Sequence, residues 1–290
     1  MLKKAIIATD LSDASEILLS CSDQYKDLSI EQITLFHALG VEYMNFAGIT
    51  FLDKTKAKLG KIKGVFESKG FAVDVVIKEG IAHYELVEYG KANPDSIIVI
   101  GSKGEGFLRR VLLGSTARET VRLSSNPVLL IKMLEEQEEL SSHCKLYCRD
   151  FNRKILFATD FSDSAENAFQ FLKNNVAKTA QKIVLLHVQA SQIMKHREQS
   201  AIDEFNKIDR KRLERMKDRL QEISSAEIEL EVKLGIPSDE IIKTKQEHDC
   251  TLIVMGSRGR GFISEEILGS TTQKVIERTK VDCLVVPLRK

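Results

Sequence analysis

Residues 3–16, KKAIIATDLSDASE, return as RKILFATDFSDSAE at residues 153–166, and this duplication constrains the fold more than any other feature of the chain. The offset is 150, the difference between Asp160 and Asp10, and it persists where ITLFHA (33–38) is answered by IVLLHV (183–188). From Gly80 onward the offset is 155, as Gly235 minus Gly80 and Gly256 minus Gly101 both show. Five extra residues therefore stand in the second half, between its second strand and Gly235. A unit of this length is a whole domain and not the few dozen residues of a solenoid repeat.

Within each unit, short β-branched runs (AIIAT, ITLF, VDVVI, SIIVI, PVLLI) alternate with longer helical patterns. Continuous apolar strands joined by helices are the pattern of a buried parallel sheet with crossover connections. A chain of 290 residues also exceeds what one hydrophobic core usually organises. The expected fold class is α/β, in two tandem domains, each an open five-stranded parallel sheet of order 3-2-1-4-5 with helices on both faces. The expected boundaries are 1–134 and 153–290, with a linker at 135–152 where an acidic run breaks the pattern. The first helix is expected to open at Ser12 or Asp13, with Glu16 three residues after the latter, and Asp163 with Glu166 repeats the arrangement. Residues 200–225 are dense in charge, yet Leu213, Met216, Leu220 and Ile223 recur at helical spacing, one apolar stripe on a solvated helix.

Charge excludes some partners. With 43 basic and 42 acidic residues the net charge is +1, so no global field draws in nucleic acid or an anionic membrane, and any anion site is local. No apolar run approaches the ~20 residues that span a bilayer, and MLKKAIIATD reaches an acid too early for a secretory segment. A cytoplasmic protein is expected, in agreement with five cysteines that form no dense disulfide framework. Cys21, Cys250 and Cys283 sit in or beside apolar patterns and read as small core residues. His143, Cys144 and Cys148 in the linker are one ligand short of a closed structural zinc site, and no metal site is assigned.

The chemistry gathers at strand ends. Ligands of open parallel sheets settle outside the carboxyl ends of the strands, near the point where strand order reverses. Asp10 and Asp160 follow the first strands, Ala38 and Val188 end the second, and a glycine segment follows the fourth. That segment runs Gly101, two residues, Gly104, nine residues, Gly114, Ser115, and again Gly256, two residues, Gly259, nine residues, Gly269, Ser270. Glycine removes the Cβ and lets successive amides turn toward one anion, and the last glycine opens a helix whose free N–H groups favour phosphate oxygens. A carboxylate is a poor neighbour for phosphate, so Asp10 and Asp160 suit a neutral sugar hydroxyl or base amine. The ligand should be long, apolar at one end and anionic at the other, as a nucleotide is. One copy would say little, because ordinary strand-to-helix turns use the same residues.

The duplicated G-x2-G-x9-G-S spacing, joined to ATDxSD and the second-strand LLHV, resembles the universal stress protein family in its tandem form, over nearly all of the chain except the linker. The resemblance implies that each half binds ATP or another adenine nucleotide, AMP or ADP included, with a metal on the phosphates left open. Carried over to this chain, the second-half residues are Thr159 and Asp160 for the adenosine end, Val188 against the base, Met255, Gly256, Ser257, Arg258 and Gly259 in the glycine segment, and Gly269, Ser270, Thr271 and Thr272 at the helix start. The first half supplies Thr9, Asp10, Ala38, Gly101, Ser102, Lys103, Gly104, Gly114, Ser115 and Thr116. The halves differ: Val188, Thr272 and Arg260 stand where the first has Ala38, Ala117 and Glu105, so the second site is expected to bind more tightly. The resemblance further implies an intramolecular pseudo-dimer through the last strands PVLLI and DCLVV, allows a homodimer of tandem chains, and leaves the protein partner unnamed.

Neither glycine segment is a Walker A loop or a dinucleotide fingerprint, and no GxSxG elbow or assignable triad occurs. His37 and His187 lie next to last in their strands without metal-ligand partners nearby and read as packed, hydrogen-bonded histidines. The expected role is a nucleotide-dependent stress-response regulator and not an enzyme. A slow ATPase or phosphotransferase, and a nucleotide-independent dimeric scaffold, are the competing readings.

Overall fold

The structure, a computed structural model, describes residues 2–12, 18, 21–40, 48–102, 113–132, 150, 153–195, 198–260 and 268–288, apart from the side chains of 48–51 and 193. The chain divides into two units, Met1–Arg149 and Asp150–Lys290. The expected linker, apart from residue 150, lies outside the described residues, and with it His143, Cys144 and Cys148.

In the first unit, strands β1 (Lys4–Ala8), β2 (Gln32–Leu39), β3 (Ala72–Glu79), β4 (Ser96–Gly101) and β5 (Val128–Ile131) lie in the order β3-β2-β1-β4-β5. Every neighbouring pair is parallel. Helices α1 (Ser22–Asp27), α2 (Gly48–Ser68), α3 (Ala82–Ala92) and α4 (Ser115–Leu123) occupy the connections. The expected 3-2-1-4-5 order is thus observed. All six residues of β4 are buried, which requires cover on both faces of the strand.

The second unit repeats the design with β6 (Lys154–Thr159), β7 (Lys182–Ala190), β8 (Glu227–Gly235), β9 (Leu252–Gly256) and β10 (Asp282–Val286), in the order β8-β7-β6-β9-β10 and again parallel throughout. Its helices are α5 (Asp163–Asn175), α6 (Ser191–Met194), α7 (Gln199–Gln221), α8 (Pro237–Glu247) and α9 (Ser270–Arg278). Phe157, Phe169, Leu172, Leu185 and Leu220 are fully enclosed and form the centre of the core. The stripe on α7 buries Leu213, Met216 and Leu220 as its period requires, while Arg219 at the helix edge lies over the Phe169 ring and pairs with Glu166 at 2.6 Å.

Two details differ from the sequence reading. Helix α5 is capped by Ser162 and not by Asp163, because the Ser162 hydroxyl accepts from Ala165 N at 3.3 Å and Asp163 is already the first helical residue. Glu166 does not turn back to a cap: burial opposes its ionisation, but the Arg219 guanidinium and the Gln170 amide outweigh burial and hold the carboxyl below its usual range. Cys21, Cys250 and Cys283 are all buried, as small core residues would be; Cys250 and Cys283 are free, whereas Cys21 is disulfide-bonded.

The sheets place the site. The chain leaves β6 on one side toward β7 and β8 and then crosses to β9 and β10, so strand order reverses between β6 and β9. At such a reversal the two outgoing connections part and leave a crevice above the carboxyl ends of the strands.

Candidate functional site

The β6 end is built by a strained turn. Thr159 is the last strand residue and Phe161 adopts φ 59°, a left-handed conformation rare for an aromatic side chain. Three bonds hold it there: Phe161 N donates to Thr159 Oγ1 at 3.0 Å, and Ser162 N and Ser162 Oγ both donate to Asp160 Oδ1, at 3.0 and 2.6 Å. The first unit reproduces the turn with Leu11 at φ 62°, Leu11 N on Thr9 Oγ1 at 3.1 Å, and Ser12 N and Oγ on Asp10 Oδ1 at 3.1 and 2.6 Å. The repeated ATDxSD is therefore a device for fixing Oδ1 of the carboxylate by the turn itself.

The glycine segment of the second unit closes on that carboxylate. Arg260 N donates to Asp160 Oδ2 at 3.1 Å. A Cβ on Gly259 would stand 2.7 Å from the same oxygen, and one on Gly256 would meet backbone atoms of Ser164 at 2.9 Å. Gly256 is thus required by close approach to backbone, Gly259 sits against the Asp160 carboxylate, and neither has a positive φ. Ser257 lies beneath the segment, with its N–H on Val286 O and its carbonyl accepting from Gly269 N, each at 2.9 Å. Thr272 is buried, and its hydroxyl donates to Gly256 O at 2.9 Å, which ties the start of α9 to the end of β9. Gly269 caps α9 with no side-chain bond, and the first turn carries no acidic residue, so the amides of that turn keep their attraction for an anion.

The β7 end supplies a buried polar group. His187 Nδ1 lies 2.8 Å from the Thr159 carbonyl, which makes Nδ1 the protonated nitrogen, and His37 repeats the bond with Thr9 O at 2.8 Å. Both histidines are the packed, hydrogen-bonded strand residues expected. His187 Nε2 faces Asp209 Oδ2 of α7 at 3.4 Å, and Gln189 Nε2 donates to that oxygen at 2.9 Å. Burial pushes the His187 imidazole below its ordinary pKa, against the opposing pull of the Thr159 carbonyl and of Asp209. The Phe161 ring lies 4.5 Å from the His187 ring, and the Arg212 guanidinium lies over the Phe161 ring at 5.1 Å.

These elements enclose a cavity of about 590 Å³, within the range of small-molecule sites. Of the residues expected in the second half, Thr159, Asp160, Val188, Met255, Gly256, Arg258, Gly259, Gly269, Ser270, Thr271 and Thr272 all line it, and Ser257 does not. The sequence reading did not include Gln189, Asp209, Arg212, Phe205 and Ile208, which line it too. No spacing rule links β7 to α7, so only the charged residue breaking the buried side of α7, Asp209 four before Leu213, could have marked them. In the first unit, Thr9, Asp10, Ala38, Gly101, Ser102, Gly114, Ser115 and Thr116 stand at the matching strand ends and helix start, and Gly114 N donates to Ser102 O at 2.7 Å. Lys103, Gly104 and Glu105 lie outside the described residues.

The cavity lining is of mixed polarity. It includes the cationic Arg258 and the amide-rich Gly259 and first turn of α9, the Asp160 carboxylate, and the apolar Ala158, Val188, Pro237 and Ile241. Among the described residues no helix is long and apolar enough to cross a membrane, and no group of three or more His, Cys, Asp or Glu could hold a metal ion.

Comparison with known proteins agrees with this architecture. The model of the "Universal stress protein family" matches residues 1–132 and again 152–287. The universal stress protein MJ0577 of Methanocaldococcus jannaschii is 32% identical over 152 residues, covering 46% of this chain and 94% of its own. A universal stress protein of Mycolicibacterium smegmatis is 24% identical over 221 residues, covering 76% of this chain and 70% of its own. The crystal structure of a universal stress protein from Archaeoglobus fulgidus superposes with a TM-score of 0.72 at 22% identity, covering 100% of both chains, a likeness of fold.

Proposed function

From the premise that the chain belongs to the universal stress protein family, we propose that it binds an adenine nucleotide in the crevice of each half, ATP foremost, and acts as a nucleotide-dependent stress-response regulator. The observation that carries the reading is the mixed lining of the second unit's cavity, which brings a cation and free amides, a carboxylate and apolar residues to one crevice. Phosphate oxygens suit the amides of the first turn of α9 and the Arg258 side chain, where dipole and charge have the right sign. A sugar hydroxyl suits Asp160, whose Oδ1 is committed to Ser162 while Oδ2 holds Arg260 N and has a second lone pair to offer. The base suits the apolar walls at Val188, Ala158 and Ile241. A divalent metal on the phosphates would be held by the nucleotide itself.

Binding without appreciable turnover is the role proposed. The reading is tested by thermal melts of the purified protein with ATP, with AMP and without ligand, together with identification of any nucleotide that co-purifies under native conditions. A ligand that binds only the native state raises apparent stability. The expected result is a rise with adenine nucleotides and no release of inorganic phosphate over hours. Unchanged melting with every nucleotide would overturn the proposal, and steady phosphate release that a Gly259→Val variant loses would favour an ATPase.

A further inference from the structure

The cavity of the second unit reaches both faces of the sheet at the end of β7. Successive strand residues point to opposite faces, so Val188 stands on one and His187 and Gln189 on the other. Asp209 of α7 identifies the second face, since its Oδ2 accepts from Gln189 Nε2 at 2.9 Å and lies 3.4 Å from His187 Nε2. Leu234 of β8 is the register partner of Gln189 and shares that face. Phe205, Ile208 and Arg212 recur at helical spacing around Asp209, on one side of α7, and all three line the cavity.

The α7 side is apolar, yet it is open where a core would be closed. Phe205 is 37% exposed, Ile208 41% and Leu234 52%, three of the nine large apolar side chains exposed among the described residues. Met194 of α6 lines the cavity and also an adjoining hollow of about 350 Å³, whose wall includes Leu234 and the exposed Lys195. Apolar side chains left in water along a concave wall mark a ligand groove. One cation in this groove is fixed in place. The Arg212 guanidinium lies over the Phe161 ring at 5.1 Å and donates from NH1 to Asp209 Oδ1 at 3.4 Å, while its side chain is 47% exposed. A guanidinium carries five N–H groups in a fork that matches a carboxylate, and Asp209, buried beneath, takes one of them.

The first half shows that the fold does not require this groove. Glu79 is the register partner of Leu39 as Leu234 is of Gln189, so Glu79 stands where Leu234 does. On the helices, Thr55, Leu59 and Phe66 are buried in the same spacing as Asp209, Leu213 and Leu220, which puts Lys54 in the place of Ile208. Glu79 and Lys54 are exposed and charged, as surface positions commonly are. Only the second half sets apolar residues at both places.

We infer that the α7 side of the cavity is a further binding site of the second unit, for an anionic amphiphile: a medium-chain carboxylate whose head pairs with Arg212 and whose chain covers Phe205, Ile208, Leu234 and Met194. The chain removes apolar surface from water, and the head gains a charge-assisted contact that an alcohol or an ammonium group does not make. Arg212 supplies the charge that selects the head, and Lys195 adds a second positive charge at the adjoining hollow. The inference goes beyond the nucleotide reading and does not depend on it, because none of these side chains is assigned to the nucleotide.

The test is calorimetric binding of octanoate, decanoate, decanol and decyltrimethylammonium to the full chain. Decanoate should bind about tenfold more tightly than octanoate, as two further buried methylenes imply, and about tenfold more tightly than decanol. Ile208→Lys/Leu234→Glu, which installs the residues of the first half, should abolish decanoate binding, and Arg212→Leu should bring decanoate to the affinity of decanol. A decanoate bearing a terminal diazirine, photolysed with the unaltered chain, should label residues within 194–212 or 230–236, which keeps the inference testable if a variant fails to fold. Equal binding of decanol or of the ammonium compound, decanoate binding unchanged in the folded double variant, or labelling confined to other segments would overturn it. So would the absence of decanoate binding, and each of these results leaves the nucleotide reading standing.

Discussion

Asp160 and Arg260 are 100 residues apart in the chain and hold each other by two bonds, Arg260 N to Asp160 Oδ2 at 3.1 Å and Arg260 Nε to Asp160 O at 2.6 Å. The first joins the glycine segment to the turn after β6, and the second braces the turn itself. The Asp160 carboxylate is therefore positioned from both sides of the strand-order reversal.

Gly259 and Gly256 should separate when changed to alanine. At Gly259 the added carbon meets the end of one carboxylate at 2.7 Å, so Asp160 must move and the expected loss is in nucleotide binding, about tenfold or more by calorimetry. At Gly256 it meets Ser164 backbone at 2.9 Å, which cannot yield, so the expected loss is in stability, roughly 1–3 kcal/mol by denaturant unfolding. A Gly256→Ala protein of unchanged stability would show that β9 and α5 can part at little cost.

Ser162→Ala removes an N-cap and one of the bonds on Asp160 Oδ1 together. The expected cost is about 1 kcal/mol, read as faster amide exchange over residues 163–167. Asp163→Ala, next in the chain, should leave that exchange nearly unchanged, since its side chain is not the cap. Equal effects of the two changes would contradict the capping assignment.

His187 sets a pH dependence of definite sign. Its folded pKa lies below the ordinary 6.5, chiefly through burial, so between those values the unfolded chain binds the extra proton. Its contribution to stability is full above pH 6.5 and is lost as pH falls through the depressed folded value. Melts between pH 8 and pH 5 should fall more steeply for the parent than for His187→Gln. Parallel slopes would mean that another group carries the acid sensitivity.

Cys250 should be inert in the native protein. Burial pushes its thiol up to about 11, and the thiolate is the reactive form. Iodoacetamide at pH 8 should label Cys250 only after denaturant is added, as peptide mass spectrometry would record. Rapid labelling of the native chain would place this residue in a unit that opens readily.

The two sites should differ in affinity. Val188 stands where the first half has Ala38, and Arg260 where it has Glu105, changes that favour the second site by ~1 kcal/mol if the arginine and acid act as solvated charges. Gly104→Val and Gly259→Val variants, each leaving one site, would measure the two constants by titration with ATP. Equal constants would defeat the expectation.

The fold was legible because its signals are local. Apolar runs such as SIIVI and helical stripes such as Leu213, Met216 and Leu220 are periodic along the chain, and the duplication fixed the unit that carries them twice. The glycine segment was legible for a related reason: a missing Cβ is visible in the chain, and close approach is what it permits. Which of two adjacent capping residues would be used was not legible, since Ser162 and Asp163 are both good acceptors and only the φ of 59° at Phe161 places the serine at the cap. Thr272 was expected as a further hydroxyl of the anion cradle, yet its donor is spent on Gly256 O, a bond that depends on how α9 meets β9.

By itself the sequence determined two parallel five-stranded units, the strand ends at which residues would gather, and the glycines that let backbone approach closely. The tertiary structure alone decided that Asp209 of α7 meets Gln189 and His187 of β7, and with them the polarity of the cavity wall. The physical reason is angular. Each residue turns an α-helix by about 100°, so a shift of one position would carry Asp209 off that wall, and nothing in the local pattern of α7 sets its rotation against a strand ten or more residues earlier. That rotation is settled by the packing of Leu213, Met216 and Leu220 into the core, and the hydrogen bonds at the cavity follow from it.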